Sequence, residues 1–249
     1  MIPTVYSEDF LTDYATVDCE SPERAWMIRS RIQGIAEFIE PEPCTPEDLL
    51  LCHSDTLIRT VQRDETVYEI ARKAVGGAIK AAQIGLNRPS FALIRPPGHH
   101  AGRNFNGGFC FFNNIAIAIK KLLLEGLISG ALIVDIDLHY GNGTQDIVKE
   151  DDRISFRNID SHSRDGFFHD FEEALKDASA FDIVGCSAGF DTYVKDWGGL
   201  LFTEDFRRIG HLLVSSNPHV FAVLEGGYFI PDLGANARAF LEGMQDSCL

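Results

Sequence analysis

The chain has no apolar run that approaches a membrane span, no internal repeat, no low-complexity segment and no Cys-x-x-Cys pair. Each absence removes a class of protein. Without roughly 20 consecutive apolar residues there is no candidate spanning helix. The six cysteines stand at 19, 44, 52, 110, 186 and 248, several in apolar context, which predicts buried free thiols in a reducing compartment rather than a disulfide framework. The opening "MIPTVYSEDF" lacks both a basic start and an apolar core, so no signal peptide is expected. Positive charge is also scarce: 22 basic residues face 37 acidic ones, for a formal charge of −15. Such a surface repels nucleic acid and anionic membranes and favours a cationic ligand, unless it is simply a solvated acidic surface. These absences predict a cytoplasmic protein with neither nucleic acid nor membrane as partner.

What is present suits a folded domain. Hydrophobic residues make up 45% and charged residues 24% of 249, so residues 1–249 are read as one domain with a large core. Ser21-Pro22-Glu23 and Thr45-Pro46-Glu47-Asp48 each place a capping residue before a proline and an acidic first turn, the pattern of a helix start. Residues 67–85, 112–126 and 203–216 carry apolar clusters at helical spacing. Between them lie short, continuously apolar runs at 91–94, 131–136, 182–189 and 220–227. Strands apolar on both faces belong to a parallel sheet covered by helices. The alternation predicts an α/β fold, a three-layer helix–sheet–helix sandwich with a mostly parallel central sheet.

In such sheets ligands bind beyond the carboxyl ends of the strands. Each apolar run here empties into polar residues of catalytic type. Arg95-Pro96-Pro97-Gly98-His99-His100 follows the first, Asp135, Asp137 and His139 the second, Asp191 the third, and Glu225 and Tyr228 the fourth.

Asp135, Asp137 and His139 alternate, so on an extended chain they share one face. Carboxylates and imidazole on one face suit a divalent cation, and without one they would repel or need costly desolvation. The plain alternative is an Asp-rich loop of hydrogen-bonded caps. Asp191 is either a third ligand or a turn former. Asp137, His139 and Asp191 together would leave a coordination position open, as catalytic metals require; zinc is the first choice and ferrous iron a credible substitute.

Pro96, Pro97 and Gly98 stop the strand before the histidines, so both imidazoles are free to turn toward one cavity. One imidazole can serve as base and then acid, while a second, held by a buried carboxylate, supplies charge and orientation. A loop pair without a task is the alternative. Gly226 and Gly227 let the backbone carry Tyr228 inward, where a phenol can hydrogen-bond an oxyanion; a core tyrosine is the alternative. In "NGGFCFFNN", Gly107 and Gly108 permit close approach of a substrate and Phe109 walls a channel for an alkyl chain, unless the segment is simply core.

"RPPGHHAG", "GGFCFFNN", "DIDLHYGNGTQD", "SAGFDT" and "LEGGY", in this order, resemble the histone deacetylase and acetylpolyamine amidohydrolase family, with "SPERAWMIRSRI" and "PEDLLLCHSDTLIRTV" similar to its N-terminal segments. The resemblance runs from about Ser21 to Gly243. It implies the arginase-like sandwich and hydrolysis of an acetylated amine to acetate and free amine. Asp137, His139 and Asp191 match its zinc ligands. His100 matches its general base and acid, His99 the electrostatic partner, and Asp135 and Asn142 the residues that hold His99 and His100. Tyr228 matches the oxyanion donor. Gly108 and Phe109 match the lining of the acyl-lysine tunnel. A structural potassium site would draw on Asp135, Asp137, His139 and Ser155. "GFDTYVKD", the segment after "EGGY" and Asn142 are closer to the acetylpolyamine amidohydrolases, so a small acetylated amine is the expected substrate and an acetyl-lysine protein the alternative.

The chain also departs from that pattern. Thr60 to Thr66 is short where the family carries a substrate-binding loop, which leaves Asp64 or Glu65 to supply its acidic residue. Residues 154–184 are abbreviated too, and both losses predict a wide, shallow mouth. The dimerisation loop of acetylpolyamine enzymes is missing, so the oligomeric state stays open. Two other classes remain as rivals: a non-catalytic acyl-amine binding protein, which should have lost the tyrosine, a ligand or a histidine, and a two-manganese ureohydrolase, which needs more carboxylates.

Overall fold

Seven strands, all parallel, run through the computed structural model of residues 1–246; Cys248 lies outside these described residues. They are β1 (Ile2–Val5), β2 (Ala36–Ile39), β3 (Ser90–Ala92), β4 (Ala131–Asp135), β5 (Ile154–Asn158), β6 (Ile183–Ala188) and β7 (Val220–Leu224), in the spatial order β2-β1-β3-β7-β6-β4-β5. Helices fill the intervals: α1 (Glu23–Ile32), α2 (Pro46–Leu50), α3 (Asp55–Val61), α4 (Glu65–Gly85), α5 (Asn114–Leu124), α6 (Asn142–Val148), α7 (Arg164–Ala174), α8 (Thr203–Ser216) and α9 (Ile230–Gln245). α4 packs with α5, and α9 with α1 and α8, as two helical layers about the sheet. The sandwich expected from the alternating sequence is the observed fold.

Local chemistry explains where the elements start. Thr45 and Asp48 form a reciprocal capping box at the start of α2. Asn113 caps α5 by accepting from Ala116 N. Ser21 departs from expectation: α1 starts at Glu23 without a side-chain cap, and Ser21 offers its carbonyl to Arg24 N instead. The described cysteines are all free, and four of the five are buried. No helix among the described residues is long and apolar enough to cross a membrane.

The central strands β3, β4, β6 and β7 are buried along their whole length, as strands covered on both faces must be. Their register brings the carboxyl ends level. Asp135 stands beside Ser187, and Ala188 beside Leu224. The residues that follow these ends therefore meet at one edge of the sheet.

Candidate active site

His99 and His100 lie in the turn after β3, with ring centroids 4.0 Å apart. The strand ends at Ala92, four residues ahead of Pro96, and so stops short of the histidines. Each imidazole has its own partner. His99 Nδ1 bonds Asp135 Oδ2 at 3.0 Å, and His100 Nδ1 bonds Asn142 Oδ1 at 2.6 Å from the first residue of α6. A carboxylate and an amide oxygen accept only, so each Nδ1 carries a proton and each Nε2 is left for other work. Burial works against a charged His99, but Asp137 and Asp135 outweigh it and hold its pKa well above the ordinary value. Burial and the neighbouring His99 push His100 the other way. Two adjacent histidines are thus set apart, one toward the cation and one toward the neutral base.

β4 ends at Asp135, and the chain then bends as Asp137 N donates to Asp135 Oδ1. The bend separates the alternating triplet. Asp135 turns to His99, whereas Asp137 and His139 join Asp191 from the loop after β6. One candidate donor atom from each of Asp137, His139 and Asp191 lies within 4.8 Å of the others. His139 Nδ1 approaches Asp191 Oδ2 at 3.0 Å and Asp137 Oδ1 at 3.2 Å. A single ring proton cannot satisfy both. The Asp191 contact lacks hydrogen-bond geometry, which leaves Asp191 Oδ2 buried with no donor. The other three carboxylate oxygens are anchored by backbone N–H groups: Asp137 by His139 and Gly226, Asp191 by Leu138. Burial and Asp137 push Asp191 up to about 7, and the two carboxylates raise His139 to about 10. Two carboxylates, an imidazole and an orphaned oxygen converging in this way fit a divalent cation.

A second convergence, His99 with Cys110 and Glu225, suits a cation less well. Glu225 Oε1 has no partner, but burial keeps the Cys110 thiol protonated, His99 is itself pushed toward its cationic form, and Glu225 Oε2 already accepts from Gly98 N and His99 N.

A cavity of about 100 Å³ opens over these groups, lined by His99, His100, Gly108, Phe109, His139, Trp197 and Tyr228 among others. Gly108 has φ +53°, and a Cβ there would come within 2.2 Å of the His100 ring, so only glycine lets the segment pass this close. Phe109 itself sits at φ 67°, an uncommon conformation for an aromatic residue, with its ring edge-on to Tyr228 at 5.9 Å. Tyr228 follows Gly227 at φ +118°. Burial and the nearby carboxylates push its phenol well above the ordinary pKa, although Arg24 opposes them, so the hydroxyl keeps its proton. A larger cleft of about 580 Å³, lined by Arg103, Lys120, Asp146, Lys149, Asp151 and Arg153, lies elsewhere. Its charges are partly spent on one another, Lys149 on Asp146 and Arg153 on Asp151, and it gathers none of the residues above. Chemistry, not size, locates the site.

Two expectations are corrected. Asp64 caps α4 through Val67 N, and neither it nor Glu65 lines the cavity. Ser155 pairs with Leu132, three positions before Asp135, so it lies roughly 10 Å along the strand from that carboxylate and cannot share a potassium ion with it. Trp197 also lines the cavity and stacks on Tyr228. Trp197, Arg24 and His53 escaped the sequence reading. The one available signal was Trp197's place between Asp196 and Gly198 in the loop that also carries Asp191.

Residues 18–179 match the histone deacetylase domain. The chain is 30% identical over 216 residues to an acetylpolyamine amidohydrolase of Mycoplana ramosa, covering 71% of this chain and 63% of that one. It is 34% identical over 195 residues to acetylpolyamine amidohydrolase 1 of Pseudomonas aeruginosa, covering 64% and 56%. It spans about half the length of the curated relatives it matches. The solved acetylpolyamine aminohydrolase of Burkholderia pseudomallei superposes with a TM-score of 0.88 at 22% identity, over 99% of both chains, which shows a shared fold. Asp191 and Tyr228 lie beyond the matched residues, yet the fold sets Asp191 against His139 and brings Tyr228 to the cavity that His99 and His100 line. With the motifs in register, the domain matched and the fold shared, the chain belongs to the histone deacetylase family, alongside the acetylpolyamine amidohydrolases.

Proposed function

We propose that this chain hydrolyses the amide of an acylated amine, releasing the acid and the free amine, with a small acetylated amine such as an acetylpolyamine as substrate. One observation carries the reading: two imidazoles, one bonded to the Asp135 carboxylate and one to the Asn142 amide oxygen, stand beside a donor set of two carboxylates and an imidazole, with a phenol on the same cavity. Zinc, or ferrous iron in its place, held by Asp137, His139 and Asp191, would supply Lewis-acid activation of water and of the amide carbonyl. His100 Nε2, unprotonated because Nδ1 donates to Asn142, takes the proton from the attacking water and returns it to the leaving nitrogen. His99, charged and tied to Asp135, supplies a fixed positive field that favours the negative charge developing at the carbonyl oxygen. The Tyr228 hydroxyl, which has no protein partner among the described residues, is free to donate to that oxygen. Gly108 and Phe109 admit and flank the alkyl chain of the amine.

The formal charge of −15 suits a cationic amine. The described cysteines, all free, suit a reducing cytoplasm. The test is hydrolysis of acetylspermidine against an acetyl-lysine peptide, each with zinc and with ferrous iron. Faster turnover of acetylspermidine is expected. Preference for the peptide would make this a protein deacetylase, and failure on both would remove the hydrolase reading.

A further inference from the structure

Tyr228 poses a positioning problem. Two glycines precede it, one of them at φ +118°, so the local backbone does little to fix where the phenol points. It also stands just before α9, where the N–H groups of Tyr228 and of the N-cap Phe229 precede the helix and have no acceptor within its own ladder. The solution comes from two residues about 30 positions earlier. Asp196 Oδ2 accepts from Tyr228 N at 2.6 Å and from Phe229 N at 2.7 Å, and Asp196 Oδ1 accepts from Trp197 N at 2.8 Å. The Trp197 indole then stacks on the Tyr228 ring, with centroids 4.2 Å apart and planes at 22°. With one face so covered, the guanidinium of buried Arg24 lies over the ring 4.8 Å from its centroid. The Trp197 indole also meets the His139 ring edge-on at 5.7 Å, and Gly198 N donates to Asp191 O at 2.8 Å.

We infer that Asp196 and Trp197 act together as a positioning clamp, Asp196 on the backbone of Tyr228 and Trp197 on its ring. The clamp locks the phenol to the same loop that carries Asp191. Stacked aromatic contact of this kind holds a ring through area and quadrupole complementarity while leaving its hydroxyl free. Trp197 is 53% exposed, so the contact is not simply core packing. The inference rests on the proposed role of Tyr228 as oxyanion donor.

The test is a double-mutant cycle read on acetylspermidine. Trp197→Ala should lower kcat about 10- to 100-fold with little change in KM, because a displaced donor fails in the transition state rather than in binding. Trp197→Phe should recover most of the loss. In a Tyr228→Phe background, Trp197→Ala should cost less than about twofold more, since both act through one hydroxyl. An equal cost in both backgrounds would overturn the clamp. A second readout does not need turnover. The chain has two tryptophans, so Trp26→Phe leaves Trp197 as the sole emitter. Its emission should shift when Asp196→Ala or Tyr228→Leu is added and stay in place with Tyr228→Phe. Emission unmoved by all three would also overturn the clamp. If the protein hydrolyses no acylated amine, the proposed function fails and the emission experiment alone decides the clamp.

Discussion

Two buried charge clusters meet at Tyr228, and they are built on opposite rules. In the first, Glu20 stands between Arg24, Arg95 and Tyr14. Arg95 reaches both its oxygens, Nε to Oε1 at 2.7 Å and Nη2 to Oε2 at 2.9 Å, and also bonds the carbonyls of Phe10 and Glu20. Arg24 adds Glu20 Oε1 and the carbonyl of Gly227, and Tyr14 donates to Glu20 Oε2. Neither the Glu20 carboxylate nor the two guanidiniums are left unpaired. In the second cluster, Asp135, Asp137 and Asp191 crowd together and Asp191 Oδ2 has no donor. The first cluster is closed and has nothing left to offer a ligand. The second is short of positive charge and of one partner, as a site prepared for a cation should be. Burial alone does not separate the two, since both are almost fully buried. Satisfaction of the polar atoms does.

Breaking each cluster should have opposite consequences. Asp191→Asn should reduce turnover on the order of a thousandfold or more, because a ligand is lost from the activating ion. The metal-free variant should nevertheless melt close to wild type, since the lost attraction to His139 is offset by the lost repulsion from Asp137. Thermal melts with and without zinc check this: wild type should gain about 4 kcal/mol at a thousandfold excess of zinc over its Kd, and the variant much less. A lower metal-free melting point for Asp191→Asn would show that its carboxylate is structurally satisfied after all. Arg95→Met should do the reverse. Removing one partner of a buried ion pair leaves Glu20 charged with fewer donors, at a cost of about 3–5 kcal/mol in denaturant unfolding. Zinc should still protect whatever fraction of that variant folds.

The same contrast marks what the sequence could show. The four strands legible as continuous apolar runs, β3, β4, β6 and β7, are the contiguous middle of the sheet. β2 and β5 went unread because they are the edges, where exposed or half-buried polar residues such as Glu37 and Arg157 break the apolar run. β1, beside β2, is only four residues long and contains Pro3. The site was legible where chemistry follows a strand end directly, as at His99, Asp137 and Tyr228. It was not legible where a residue acts across the fold. Arg24 lies on α1, 203 positions from the Gly227 carbonyl it holds, and no spacing in the chain announces that pairing.

His53 extends the comparison to a single buried base. Its Nδ1 bonds Gly102 O at 2.8 Å, and its Nε2 accepts from Asn113 N at 2.9 Å, so the ring serves as donor on one side and acceptor on the other only while neutral. Burial lowers its pKa from 6.5 to about 4. The folded protein therefore resists a proton that the unfolded chain takes up. This contribution to stability is complete above about pH 6.5 and is lost as pH falls toward about 4. His53→Gln keeps a donor and an acceptor but does not titrate. The advantage of wild type over this variant should shrink by about 2 kcal/mol between about pH 7.5 and pH 5. An advantage independent of pH would mean that the ring takes up its proton in the fold as readily as in the unfolded chain.

The smallest effect separates a structural carboxylate from a functional one. Asp64 sits in the shortened connection where an acidic residue that grips the substrate would be sought. Its Oδ1 instead accepts from Val67 N at 3.1 Å, and the residue stands at the N-cap of a 21-residue helix. A carboxylate at that position satisfies an otherwise orphaned N–H and meets the positive end of the helix dipole. Asp64→Ala should therefore cost about 1 kcal/mol in denaturant unfolding and leave KM for acetylspermidine unchanged. Asp64→Ser, which keeps a capping oxygen without the charge, should recover most of the stability. If KM rose in both variants, the carboxylate would be reaching substrate in solution, and the acidic grip would have survived the loss of the loop that normally carries it.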